Sequence, residues 1–197
     1  MINENFIYLG TLISILAMLS YLRDTLSGKT KPNRVTWGFW AVIPMIAFSA
    51  QIKEGVGLQA LTTFIFAFNP MIIFIASFVN KNAYWKLGKL DYVCGAIALL
   101  GVILWLATGE GSLAIFFSCV ADFVASLPTM VKAFKNPESE NADPFLSAIL
   151  NSFVTLLTIQ IWTFSYYAFP LYIFANNLIL YPLIRFRLGK NLIKSQS

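Results

Sequence analysis

Residues 144–184 read PFLSAILNSFVTLLTIQIWTFSYYAFPLYIFANNLILYPLI, with no charged residue between Asp143 and Arg185. About 20 apolar residues, at 1.5 Å rise each, cross a ~30 Å hydrocarbon core, so this stretch is twice the length that one span needs. It therefore holds two spans and a turn. The turn is expected near the middle, at Ser165-Tyr166-Tyr167-Ala168-Phe169-Pro170, where interfacial aromatics meet a proline suited to start a helix. The two spans are then 144–164 and 167–186.

Composition extends this reading to the whole chain. Of 197 residues, 58% are hydrophobic and 12% charged. A soluble domain carries about 25% charged residues, so the lipid bilayer is the expected partner of most of the surface. The net charge is +5, but the basic residues fall in short gaps between apolar runs and form no patch, which argues against nucleic acid. Cys94 and Cys119 lie inside apolar runs and read as small buried hydrophobes rather than a disulfide pair. The absence of histidine removes the commonest general base and metal ligand. With no metal-ligand cluster and one carboxylate deep in an apolar run, no enzyme, no cofactor and no metal site is expected. The opening Met-Ile-Asn-Glu-Asn lacks a basic n-region, so the first apolar run reads as a retained span.

Five further spans are predicted at 6–22, 35–51, 57–79, 92–108 and 112–134. Seven spans place the termini on opposite sides, and the positive-inside rule tests the count. The side with the N-terminus and the second, fourth and sixth connections holds one basic residue, Lys53. The other thirteen fall in the first, third and fifth connections and the C-terminal tail. One missed or extra span would scramble that split. The expected fold class is an all-α membrane protein with seven transmembrane helices, N-terminus out and C-terminus in the cytoplasm. The expected location is a bacterial inner (plasma) membrane.

The third span contains Ile65-Phe66-Ala67-Phe68-Asn69 and the seventh Ile173-Phe174-Ala175-Asn176-Asn177. The shared I-F-A-x-N sits near the middle of the last span of a three-span group in both cases. Two parallel triplets need one extra crossing between them. The fourth span supplies it, giving three plus one plus three: residues 1–80 as the first repeat, 81–111 as the linker helix, and 112–197 as the second repeat and tail.

Polar side chains at the bilayer centre are costly, an aspartate by about 2.5–3.5 kcal/mol, so they mark function first. Asn69 and Asn177 fall at matched depth and are candidate substrate ligands, with Asn176, Asn151 and Trp40 beside them. The plainer role for an intramembrane Asn is interhelical glue. Asp122, at the centre of the fifth span, is a candidate proton-coupling site, because the medium penalises its charged form. Pro44 and Pro128 are candidate hinges, since proline frees a backbone carbonyl and permits a bend. Trp37, Trp85, Trp105 and Trp162 fall near predicted interfaces and read as belt residues.

Ser126-Leu127-Pro128-Thr129, followed by Val131-Lys132, is similar to the proline-glutamine motif of the SWEET and PQ-loop (MtN3-like) transporter superfamily, with Thr129 in place of glutamine. The first repeat has Ser20-Tyr21-Leu22-Arg23 there, without proline. The layout and the paired midplane asparagines also resemble that superfamily. The resemblance implies that Asn69 and Asn177 contact substrate, with Asn176 as neighbour. It implies that Asp122 corresponds to the aspartate some proton-coupled members carry in the fifth span, and that Pro44 and Pro128 flex the helices. The expected function is transport of a small polar solute (sugar, amino acid or vitamin-like) by alternating access, with a proton as the candidate coupling ion. The alternative is a non-transporting receptor or sorting protein on the same scaffold. A small-molecule substrate is the expected partner, and a homo-oligomer is left open.

Overall fold

Along the first helix, α1 (Phe6–Leu26), the buried residues are Ile7, Gly10, Ser14, Met18, Tyr21 and Thr25, which form one helical face. Leu9, Leu12, Leu16 and Leu19 occupy the opposite face and are each about half exposed. Hydroxyls and glycine point inward while leucines point outward. That is the inverse of a water-soluble helix and the pattern of one whose solvent is lipid.

The computed structural model describes residues 2–83, 85–108 and 110–195, without the side chains of 101, 102, 104–106, 108 and 193–195. Among the described residues the chain is all-helical. After α1 come α2 (Arg34–Lys53), α3 (Ala60–Ala76), α4 (Lys89–Thr108), α5 (Gly111–Lys135), a 3-10 turn (Pro137–Ser139), α6 (Asp143–Thr158), α7 (Phe164–Arg185) and α8 (Leu188–Ser195). By length and apolar composition α1, α2, α5 and α7 suffice to cross a membrane, and α3 and α6 are shorter apolar helices. Tight turns continue the winding of α3 at both ends, from Ala60 N–H to Gly57 C=O and from Val79 N–H to Ala76 C=O, so the wound apolar stretch covers 57–79. The apolar exteriors make this a membrane-embedded protein.

Local sequence sets the helix ends. The Asn33 side chain accepts from the N–H groups of Val35 (3.1 Å) and Thr36 (3.3 Å) and starts α2. Gly55 stops it with φ +78°. Val56 N–H bonds to Gln51 C=O and Gly55 N–H to Ile52 C=O, the double closure that a left-handed glycine permits.

One expectation about elements needs correction. The turn in the charge-free stretch falls at 159–163, upstream of the expected aromatic cluster. Pro170 lies inside α7 rather than at its start. The helix begins after Thr163, whose extended backbone serves as its cap, and it tolerates Pro170 at the cost of leaving the Tyr166 carbonyl without its helical donor. The C-terminal tail forms a helix: α8 packs on α5 and α7, and Lys190 pairs with Glu138 at 2.6 Å.

Six helices form a closed circuit of neighbours: α1 beside α3, α3 beside α2, α2 beside α5, α5 beside α7, α7 beside α6, and α6 back against α1. α4 lies outside the circuit on α5, with lighter contact to α2. Connections gather at two ends. At one end Lys31 N–H bonds to Ser139 C=O (3.0 Å), Asn80 Nδ2 to Leu26 C=O (2.8 Å) and Arg34 to Ser77, joining the α1–α2, α3–α4 and α5–α6 connections. At the other, Ile2 N–H bonds to Leu157 C=O (3.1 Å) and Tyr166 Oη to Gly55 C=O (3.0 Å).

Candidate functional site

Inside the circuit lies a cavity of about 80 Å³. A cavity needs roughly 10–15 Å³ to hold one water, so this one has room for a small solute. All six circuit helices line it. α1 gives Ser14 and Met18, α3 gives Asn69 and Pro70, α5 gives Asp122, α6 gives Phe145 and Ser147, and α7 gives Asn176 and Asn177. α2 lays Trp37, Trp40 and Pro44 along one face, at a spacing that brings every third or fourth residue to the same side.

The polar groups here are incompletely paired. Asn69 Nδ2 donates to Ser14 C=O at 3.2 Å, while its Oδ1 is buried without a partner. Asn177 Nδ2 is taken by Ile173 C=O of its own helix at 2.8 Å. Asn176 Oδ1 lies 3.3 Å from Ser126 Oγ. Tyr172 Oη donates to Asp122 Oδ2 at 2.6 Å. Asp122 Oδ1 is buried without a hydrogen bond of good geometry, although the Trp40 indole lies beside the carboxyl. Trp37 Nε1 is buried without a hydrogen bond of good geometry, although the Tyr21 hydroxyl lies beside it. A buried unsatisfied polar group costs about 1–3 kcal/mol, and of the seven such atoms among the described residues three belong to residues that line the cavity.

Aromatic rings form the rest of that wall. Tyr21 packs at a tilt against Trp37 (centroids 4.6 Å apart), Trp37 meets Trp40 edge-on (5.4 Å), and Trp40 meets Phe145 edge-on (6.2 Å). Tyr21 also joins the wall to the end of the molecule that carries the α5–α6 connection. Its hydroxyl donates to Glu140, whose other oxygen takes Lys132 Nζ at 2.6 Å. Lys132 and Glu140 are both almost fully buried, and Lys132 also bonds to Lys31 C=O and stands 4.9 Å over the Trp85 ring. Beside them Ser20 donates to Asp143 (2.6 Å), and Asn141 to Asp24 (2.8 Å). These bonds tie the connections at this end to one another.

The cavity brings together Asn69, Asn176, Asn177, Trp40, Asp122 and Pro44. Asn151 stays outside it. It is fully buried between α1, α3 and α6, where it donates to Ser14 Oγ at 3.1 Å and faces Thr62, itself 2.6 Å from Thr155. Gly10 packs so closely that a methyl group there would overlap the Asn151 carboxamide. Asn151 holds helices together. Pro128 is buried within α5 but away from the cavity, and the helix runs on through it to Lys135.

Trp37 is no belt residue: it is 3% exposed and faces the cavity. Trp162, at 59% exposed, keeps an outer position. The Trp105 side chain lies outside the described residues. Sequence reasoning missed Trp37, Phe145 and Tyr172 as site residues. The spacing of Trp37, Trp40 and Pro44 was a usable signal. The Tyr172–Asp122 contact spans 50 residues between helices and left none. Compared with known protein families, curated proteins and solved structures, the chain matches none.

Proposed function

We propose that this chain is a seven-span transporter of a small polar solute, working by alternating access around the central cavity, with Asp122 as the proton-coupling group. One observation carries the reading. A cavity at membrane depth is walled by all six circuit helices and presents two buried acceptors without partners, Asn69 Oδ1 and Asp122 Oδ1.

The neighbour pattern supports the repeat. Exchanging α1, α2 and α3 for α5, α6 and α7 leaves the circuit unchanged, as two parallel triplets around a linker α4 require. It fits the resemblance to the SWEET and PQ-loop superfamily. The orientation follows from charge. Thirteen of fourteen basic residues belong to the end tied by Lys132 and Glu140, which is therefore cytoplasmic, with the N-terminus outside a bacterial plasma membrane. In this state the cytoplasmic end is closed. Inward opening breaks the Tyr21–Glu140–Lys132 links, and Pro44 and Pro70 at the cavity wall supply places where α2 and α3 bend.

Purified protein in liposomes tests this. A panel of small sugars, amino acids, amines and vitamin-like solutes is offered with and without an imposed pH gradient. At least one solute is expected to accumulate above protein-free vesicles. Asp122→Asn is expected to abolish the part of that accumulation driven by the gradient. No flux of any solute under either condition overturns the proposal.

A further inference from the structure

Building on the transporter reading, we infer that the cavity selects a small organic cation, an ammonium group on a compact body, rather than a zwitterion. Three features of the wall converge on this class. The first is charge. Asp122 is 1% exposed, its Oδ1 is unpartnered, and no ion pair reaches it among the described residues. A buried carboxylate needs a cation or dense hydrogen bonding, and here only neutral donors stand beside it, the Tyr172 hydroxyl and the Trp40 indole. Asn69 Oδ1 adds a second free acceptor.

The second is aromatic surface. Trp37, Trp40 and Phe145 line the same space, and tryptophan faces are the strongest aromatic partners of ammonium groups. The third is what the wall lacks. Among the described residues no Lys or Arg lines the cavity, so the carboxylate of an amino acid would enter without a counter-charge.

Wild-type protein in detergent is melted with tetramethylammonium, with choline, and with 3,3-dimethylbutan-1-ol, the neutral carbon isostere of choline. The two cations are expected to raise the melting temperature by several degrees at saturation, and the isostere is not. Asp122→Asn, its fold checked by an unchanged melting temperature without ligand, should weaken choline binding at least tenfold. Equal stabilisation by the isostere, or none by either cation, overturns the inference, and neither result depends on a variant. Flux separates it from the reading beneath it. Choline that binds but does not cross liposomes leaves the cation site standing and removes the transporter. Glycerol or another neutral solute that crosses, with no cation binding, does the reverse.

Discussion

Asn69 and Asn151 are the same residue type at similar depth in two helices, and they do different work. Asn151 is 0% exposed and meets Ser14 and Thr62 across two interfaces. Asn69 makes one bond, to a backbone carbonyl of α1, and leaves its carbonyl oxygen free in the cavity. Interhelical polar bonds in membranes average about 0.6 kcal/mol each. Asn151→Leu should therefore cost on the order of 1–2 kcal/mol and lower the melting temperature, because it strands Ser14 and Thr62 as well as losing its own bonds. Asn69→Leu should cost less than about 1 kcal/mol and instead abolish ligand-dependent stabilisation and flux. Both proteins would be melted in detergent with and without ligand. If Asn69→Leu binds normally and Asn151→Leu does not, the assignment of the two asparagines is reversed. The depth of both residues was legible in the sequence, since a polar residue stands out in an apolar run. Which of them faces the cavity was not, because that depends on the rotation of α3 and α6 against their neighbours. Asp122 was legible for the same reason of depth. Its partner Tyr172 was hidden, since a tyrosine in an aromatic-rich span signals nothing until the two helices are packed.

At the scale of elements, the 3-10 turn after α5 decides how the basic end closes. Pro137 starts it, and the chain then carries Glu140 under the end of α1, where Tyr21 and Lys132 reach it. In the sequence Lys132 counted only as one of the basic residues flanking the fifth span. The structure places it 1% exposed, in a pair with a buried glutamate. Removing one partner of such a pair leaves the other charge uncompensated, at about 3–5 kcal/mol. Lys132→Met is thus expected to destabilise by that order, read as a large drop in melting temperature. Lys132→Met combined with Glu140→Gln should recover part of the loss. A single variant that melts like the wild type would mean that Glu140 is not held as a charge in this closure. The turn between α6 and α7 shows the opposite limit of sequence reading. A proline beside interfacial aromatics argued for a helix start at Pro170, yet the helix begins at Phe164 and accommodates Pro170. In a membrane protein, packing and neighbouring groups re-satisfy the freed carbonyl, so proline is a weaker stop there than in water.

For the whole molecule, charge and hydropathy carried the most information. The number of apolar stretches and the one-sided distribution of Lys and Arg were written in the sequence, and the connections that share basic residues also share an end of the structure. The order of helices around the cavity was not. The short I-F-A-x-N match hinted at two triplets but could not say that α3 lies between α1 and α2, or that α7 lies between α5 and α6. That order sets the cavity among six helices and leaves α4 outside. The central claim is that this cavity opens in turn to each side of the membrane. Ser147 lines it and is 5% exposed. The direct measurement is labelling of Ser147→Cys by a membrane-impermeant thiol reagent, in a chain carrying Cys94→Ala and Cys119→Ala. The reagent is applied separately to either face of oriented vesicles. Alternating access predicts labelling from both faces, slowed by bound ligand. Labelling from one face only, at any ligand concentration, would contradict it and leave a receptor rather than a transporter.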